Sequence, residues 1–586
     1  MSRYILPVTT GVLLLLFFLC LPPLQDTPVD LPDPDGEVRR RPGTITRLDC
    51  LLLCCFVLVF GAVDFYGLGN RTSPETFLPV QNEPVLMTFP EEKDVSLIVV
   101  FTGVGYGEFT FEASADGEEY FPITTFIQNA GDVLRWTNIQ PDNVFHAKTV
   151  RLSGSGSAWL GEAAFFSPDG EQIPFRSSAA ELGDEQGLVT REYSFLNSTY
   201  FDEIYHARTA WEHLHGIFPY EISHPPLGKM ILSLGILLFG MTPFGWRFSG
   251  TLIGVLMLPV LYIFVKKLFS STRVAACATL VFATDFMHFV QTRIATIDTY
   301  AVFFILLMYL FMALFIASGK TVHLALSGLF FGVGAACKWT CLYAGAGLAV
   351  IWAAYWIAHR KEGLAAFARN VLACLLFFVL VPAAIYYLSY LPYGQAAGIR
   401  GIFTRPYLDM VLNNQVYMFS YHSNLVAEHP YASVWYQWML DIRPILYYLQ
   451  YFNDGTRSSF GAFLNPVLCW GGLLALFVLV FQAVYRHDWK AAFLAAGYFA
   501  QLVPWMFVSR LTFAYHYFPC SVFLVLALAY VFKLMENGTK HYRACIYSFT
   551  GLSVLLFLLF YPALSGAPVN NVKASQVMGW LPTWPF

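Results

Sequence analysis

Charge is scarce in this sequence. Of 586 residues, 13% are Asp, Glu, Lys or Arg, about half the share carried by a soluble chain. Thirty-five basic and 39 acidic side chains cannot coat a globule of this size, which excludes a water-soluble enzyme. There is no basic surplus either: the formal net charge of −4 leaves no footprint for nucleic acid. The two long polar stretches lack cysteine, because all eleven lie in apolar runs or at their edges. A disulfide-stapled secreted module is therefore not encoded, and the usage suits a bacterial cell surface. A compact zinc motif, internal repeats and mid-run charges are also missing.

What the chain has is apolar length. Mean hydropathy is +0.53, and runs of about 20 residues, enough to cross a bilayer, recur along it. The expected fold class is an α-helical polytopic membrane protein with 11–12 spans and an inserted extracytoplasmic β-sandwich. The first run, Ile5 to about Leu24, offers only Arg3 as an n-region and no clear cleavage site, so it counts as an extra span. The second, Leu51 to about Phe65, follows Arg39, Arg40, Arg41 and Arg47, which the positive-inside rule places in the cytoplasm. Ten more candidates lie near 246–265, 274–290, 299–318, 322–337, 340–357, 367–389, 463–484, 490–507, 511–533 and 544–562. Alternating basic flanks close this count if Leu227–Leu238 lies in the interface rather than crossing.

The domain order that follows is 1–67, N-terminal spans; 68–197, β-module and linker; 198–245, outer loop with juxtamembrane helices; 246–389, spans; 390–462, an aromatic and His-rich loop; 463–586, C-terminal spans. Alternating runs at Val95–Thr102, Glu108–Ala113, Lys148–Ser153 and Trp159–Phe166, separated by turns such as Gly103–Gly107 and Asp116–Gly117, predict the sandwich. Residues 68–197 hold 19 acidic against 7 basic side chains. An acidic solvent-facing spacer and an acceptor-binding module both fit. The 390–462 loop, with Tyr421-His422, His429-Pro430-Tyr431, Trp435 and Trp438, is expected to lie on the interface and roof a cavity.

Polar groups gather at the outer helix ends. Thr199 followed by Asp202 resembles a capping box, with Gly216 as the stop. On that helix Asp202 and His206 are i, i+4 neighbours while Glu203 points about 100° away, so the two carboxylates do different work. A carboxylate there can act as a general base; an acidic pair at a helix start also serves as dipole compensation. His224-Pro225-Pro226-Leu227-Gly228-Lys229 could hold a phosphate at a helix N-terminus, or Lys229 could simply snorkel.

Phe201–Gly216, His224-Pro-Pro-Leu-Gly-Lys229 and Phe244-Gly-Trp-Arg247 together resemble the protein O-mannosyltransferase family, membrane glycosyltransferases of the GT-C type. Arg293 with Asp298, Lys338-Trp339, Tyr421-His422 to Arg443-Pro444, and Arg510 with Tyr515-His516-Tyr517 follow in the same order, so the resemblance covers about 200–530. It implies transfer of a sugar, mannose by the family's habit, from a polyprenyl-phosphate carrier to Ser or Thr hydroxyls of exported protein. Asp202 is implied as the catalytic base, Glu203 as support for the site or as a contact to the acceptor or sugar, and Arg247 near the lipid phosphate. By charge, Lys229, Arg293 and Arg510 join the phosphate site, while His206, His224, His422, His429 and His516 are candidates for the sugar, the acceptor or the roof. No metal is required, although Glu203, His206 and His224 could hold a divalent ion. The bilayer, the lipid donor and a protein or cell-surface acceptor are the implied partners, at a bacterial plasma membrane with the site facing outward. The short 390–462 loop resembles bacterial members, and the β-module is not part of the family pattern.

Two rivals stand beside this reading. A sister GT-C enzyme would glycosylate a lipid or wall polymer, and a sugar or lipid transporter would need the repeats and midplane charge that are missing. Oligosaccharyltransferase is disfavoured because no Trp-Trp-Asp motif occurs.

Overall fold

The computed structural model describes residues 4–22, 43–79 and 83–586. The expected cytoplasmic cluster Arg39–Arg41 and the end of the first run, Pro23–Leu24, lie outside the described residues. Two compact units are present. One comprises the chain up to Tyr66 with Glu221–Met230 and Gly250–Phe586; the other comprises Gly67–Tyr220 with Ile231–Ser249.

The first unit is helical and polytopic. Among the described residues eight helices are long and apolar enough to cross a membrane, or nine if one bent pair counts as a single span. The other expected spans are shorter: Ile5–Leu19 and Thr321–Cys337 are 15 and 17 residues. The run expected at 490–507 divides into Trp489–Leu502 and a 3₁₀ turn, Val503–Phe507, that contains Pro504. Proline removes a backbone donor and tightens such an end.

Local chemistry sets several helix ends. Thr46 and Asp49 form a capping box for Arg47–Phe65, and Asp49 also accepts from the Tyr262 hydroxyl at 2.6 Å and pairs with Lys266 at 3.0 Å. The span expected at 274–290 is broken by 60° between Thr272–Ala283 and Phe286–Thr292. Its exposed backbone groups are satisfied locally, as apolar surroundings require. Asp285 accepts from the backbone N–H of His288 and of Asn465, and the Asn465 side chain donates to the carbonyls of Thr284 and Ser553. The expected loop at 390–462 is largely regular: helices Leu391–Ala396, Arg405–Asn424 and Trp435–Met439, then a hairpin of Ile445–Tyr451 with Thr456–Ala462.

Among the described residues of the second unit, ten strands form two antiparallel sheets. They are β1 (Leu78–Pro79), β2 (Val85–Val95), β3 (Leu97–Thr102), β4 (Gly107–Ser114), β5 (Phe121–Gln128), β6 (Arg135–Ile139), β7 (Phe145–Gly156), β8 (Trp159–Phe166), β9 (Gln172–Ile173) and β10 (Arg176–Ser177). The orders are β1-β8-β3-β6, with β9 on β8, and β10-β2-β7-β4-β5. Phe89, Phe109, Phe111 and Val150 from one sheet meet Ile98, Val100 and Phe165 from the other in a closed core, which makes a sandwich. Each such side chain, fully buried, contributes about 1.5–3 kcal/mol.

Strand β3 is apolar on both faces. Val99 and Phe101, on the side away from the core, pack with Trp136 and Phe166. That outer face is covered: Trp211 of the helix Glu203–Leu214 meets Phe77 and Trp159 edge-on, with ring centroids 6.1 and 5.7 Å apart. Gly105 takes φ +89°, and a side chain there would run into the Ser157 carbonyl, which is why the predicted Gly103–Gly107 turn is glycine-rich.

Candidate active site

The acidic pair sits where the chain turns into the helix Glu203–Leu214. Phe201 has φ +48°, a left-handed conformation that bulky residues rarely hold. Asp202 occupies the position before the first helical residue, and Gly216 at φ +64° ends the segment as predicted. The predicted capping box does not form. Thr199 instead donates its hydroxyl to the Val133 carbonyl at 2.9 Å, and its N–H reaches the Leu134 carbonyl at 3.4 Å. The turn before β6 therefore captures the oxygen that would have capped the helix, and the β-module grips the chain three residues ahead of Asp202.

The adjacent carboxylates are placed differently. Asp202 is half-buried, whereas Glu203 is fully buried. Glu203 accepts Arg247 Nε on one oxygen and Arg247 Nη2 on the other, each at 2.7 Å, and Trp246 Nε1 at 3.2 Å. Arg247 also donates to the carbonyls of Leu68, Phe195 and Ser198. A guanidinium has five N–H groups, and these contacts engage all five. The side chain expected at the lipid phosphate thus locks Glu203 and three loop carbonyls. The same pairing neutralises Glu203, so it does not suit a cation site. His206 lies one turn further along the buried helix, its backbone N–H on the Asp202 carbonyl at 3.2 Å.

The helical unit holds a second cluster. Lys229, fully buried, donates to the Glu221 carbonyl at 2.7 Å, to the Glu221 carboxylate and to the His224 carbonyl at 3.2 Å. The other Glu221 oxygen accepts from Ser223 and contacts His224 Nδ1 at 3.1 Å. His422 donates from Nε2 to the Ser223 carbonyl at 2.8 Å, and its ring centroid is 5.1 Å from that of His224. Burial pushes the His422 imidazole down to about 4, with the charges of His224, Arg510 and Lys338 adding to it. Burial likewise lowers His224, against the opposing pull of Glu221.

Lys338 caps Thr321–Cys337 and pairs with Asp298 at 2.7 Å, 5.6 Å from the Tyr515 ring. His516 packs against Trp505 and Tyr515, with centroids 4.4 and 4.5 Å apart. His429 accepts the Tyr431 N–H and faces the Phe513 ring at 5.0 Å. Mutual hydrogen bonds between Ser433 and Thr512 tie these segments together. Arg510 donates to the Leu511 carbonyl at 3.2 Å. Arg293 donates to the Tyr66 carbonyl at 2.8 Å and lies 4.7 Å from the Phe289 ring.

Sequence reasoning assigned Lys229 to the donor phosphate and His224 and His422 to the sugar, acceptor or roof, and the structure places these three together. It missed Glu221 as their partner and Thr199 as an anchor. An acid eight residues before Lys229 was the available signal for Glu221; nothing local marked Thr199. Among the described residues, one group of three carboxylates has metal-like spacing: Glu162, Asp184 and Glu185, in the β-module, with ligand atoms within 4.8 Å. Glu162 there already accepts from the Glu185 N–H and the Gln186 side chain, each at 2.7 Å.

Two family models match the chain from residue 223 onward. Residues 223–399 match the family described as dolichyl-phosphate-mannose-protein mannosyltransferase. Residues 407–584 match the C-terminal four-transmembrane region of protein O-mannosyltransferase. A polyprenol-phosphate-mannose–protein mannosyltransferase of Mycobacterium tuberculosis is 26% identical over 456 residues, spanning 66% of this chain and 86% of that protein. Its counterpart in Mycolicibacterium smegmatis is 25% identical, spanning 66% and 87%. That of Corynebacterium glutamicum is 22% identical, spanning 68% and 91%. The Saccharomyces cerevisiae protein O-mannosyltransferase Pmt1–Pmt2 complex bound to the sugar donor superposes with TM-score 0.58 at 13% identity, covering 66% of this chain and 89% of that one.

Proposed function

Because the chain belongs to the protein O-mannosyltransferase family, we propose that it transfers mannose from a polyprenyl-phosphate carrier to Ser or Thr hydroxyls of exported protein. The site faces outward from a bacterial plasma membrane, where lipid-linked rather than nucleotide-linked sugars are at hand. The observation that supports this most directly is the division of labour in the acidic pair: Glu203 is held by Arg247 while Asp202 stays half-buried at the helix start.

The chemistry needs few groups. Asp202 takes the proton of the acceptor hydroxyl as its oxygen attacks C1 of the sugar. The C1–O bond to phosphate breaks as the new C1–O bond forms, and the polyprenyl phosphate departs with the electron pair. A single displacement inverts C1, so a β-linked donor yields an α-linked product. Phosphate is a good leaving group, so cationic stabilisation and alignment suffice. Arg510 and Lys338 are assigned to the leaving phosphate, since both charges act on His422, and Arg293 is assigned there by charge. Lys229 acts through Glu221, His224 and His422 shape the donor side, and His429 and His516 support the roof built from 390–462. Residues 198–245 form the catalytic segment, with 68–197 as its support.

The decisive assay combines purified protein, polyprenyl-phosphate mannose and a Ser/Thr peptide. Alkali-labile mannose on the peptide, removable by an α-mannosidase, is expected. Label appearing only in a lipid or polymer fraction would replace this reading with the sister-enzyme one.

A further inference from the structure

At the end of the helix Thr340–Ala358 remote from Lys338, a cavity of about 570 Å³ opens between that helix and Leu364–Leu375. The 19 helical residues put it about 28 Å from Lys338, well away from the cluster described above. Trp352, Trp356 and Phe367 form an aromatic wall, with centroids 5.8–6.3 Å apart. Arg360 and His359 complete its rim, and none of the described side chains that line it is acidic.

Two features call for an occupant. Trp356 is 6% exposed, and the indole N–H groups of both Trp352 and Trp356 are buried without a hydrogen-bond partner among the described residues. An indole N–H only donates, and leaving such a donor unmatched costs free energy. The described polar groups are therefore two indole donors and a guanidinium, beside the His359 ring whose Nδ1–H is taken up by the Tyr355 carbonyl, and they match an anionic, oxygen-rich ligand. The surroundings are also lipid-like: Ile357 and Leu364 are 67% and 82% exposed on either side.

We propose that this cavity binds the phosphodiester headgroup of an anionic phospholipid. Trp352 and Trp356 donate to its oxygens, Arg360 balances its charge, and the acyl chains run along Ile357 and Leu364. By the basic-flank pattern this is the cytoplasmic end of the helix, where anionic lipid attracts juxtamembrane Arg and Lys.

Native mass spectrometry of the full-length protein in mild detergent tests this, with dioleoylphosphatidylglycerol as the probe and dioleoylphosphatidylcholine as its zwitterionic control. The wild type should bind phosphatidylglycerol about tenfold more tightly than a Trp356→Phe/Arg360→Gln double variant, a difference of one decade in Kd. Phosphatidylcholine, whose quaternary ammonium cancels the phosphodiester charge, should bind the wild type more weakly than phosphatidylglycerol and lose less in the double variant. Equal phosphatidylglycerol binding by the two proteins overturns the proposal, as does phosphatidylcholine binding the wild type equally well. Displacement of bound lipid by inorganic phosphate overturns it too, since the site would then take a bare anion. Trp356→Phe keeps an aromatic ring without the N–H, and Arg360 is exposed; should the double variant not fold, Arg360→Gln alone must show a several-fold loss.

Discussion

Glu203 and Arg247 form a two-armed ion pair, 2.7 Å on each arm, with both side chains fully buried. Such a pair is strongly destabilising to break, because the remaining charge stays buried and unpaired. In this protein it joins the start of one helix, Glu203–Leu214, to the start of another, Pro243–Phe269, and leaves the neighbouring Asp202 at the half-buried end.

Arg247→Ala is expected to lower stability by about 3–5 kcal/mol and to abolish transfer with it. Thermal unfolding in detergent, read beside the peptide assay, checks this. A variant that unfolds like wild type yet fails to bind donor would return Arg247 to the phosphate.

Asp202→Asn should behave in the opposite way. Removing a general base costs about 10²–10⁴-fold in rate, while unfolding and donor binding should stay near wild type. Appreciable transfer by this variant would remove Asp202 from the chemistry.

Thr199→Val deletes the hydroxyl that reaches the Val133 carbonyl while keeping the side-chain shape. A positioning role predicts a fall in kcat of about tenfold, the equivalent of one net hydrogen bond, with KM for the donor unchanged. Thr199→Ser should restore the rate. Parallel loss of stability in both variants would mean that the contact only holds the fold.

Stability should depend on acid through His422. Its folded-state value is depressed to about 4 by burial, so between about 4 and an unfolded value of about 6.5 the unfolded chain binds the extra proton. Its contribution is therefore complete above about 6.5 and is lost as the pH falls towards 4, at no more than about 1.4 kcal/mol per pH unit. Unfolding temperatures from pH 7 to 4 should fall for wild type and fall less steeply for His422→Asn. Identical slopes would refute the assignment.

Much of this was legible without coordinates. Apolar runs declare their helices because burial in hydrocarbon is a property of each segment's own composition. The strands at Leu97–Thr102, Gly107–Ser114 and Trp159–Phe166 were likewise visible, since alternation and glycine turns are local signals. Strands β2, β5 and β6 and the two-residue β1, β9 and β10 were not singled out: β5 carries Pro122 and three polar residues, as an edge strand can.

The sequence by itself determined the membrane class and the sandwich insert, and singled out Asp202, Glu203 and Lys229 by residue type and local order, with Arg247 and His422 implied by the family resemblance. Only the tertiary structure decided which charge answers which. It closed Arg247 on Glu203, set Lys229 on Glu221, and turned Thr199 from a helix cap into a β-module anchor. The reason is physical. A buried charge or hydroxyl takes whatever partner the fold brings within about 3 Å, and for Glu203 and Thr199 that partner lies 44 and 66 residues away.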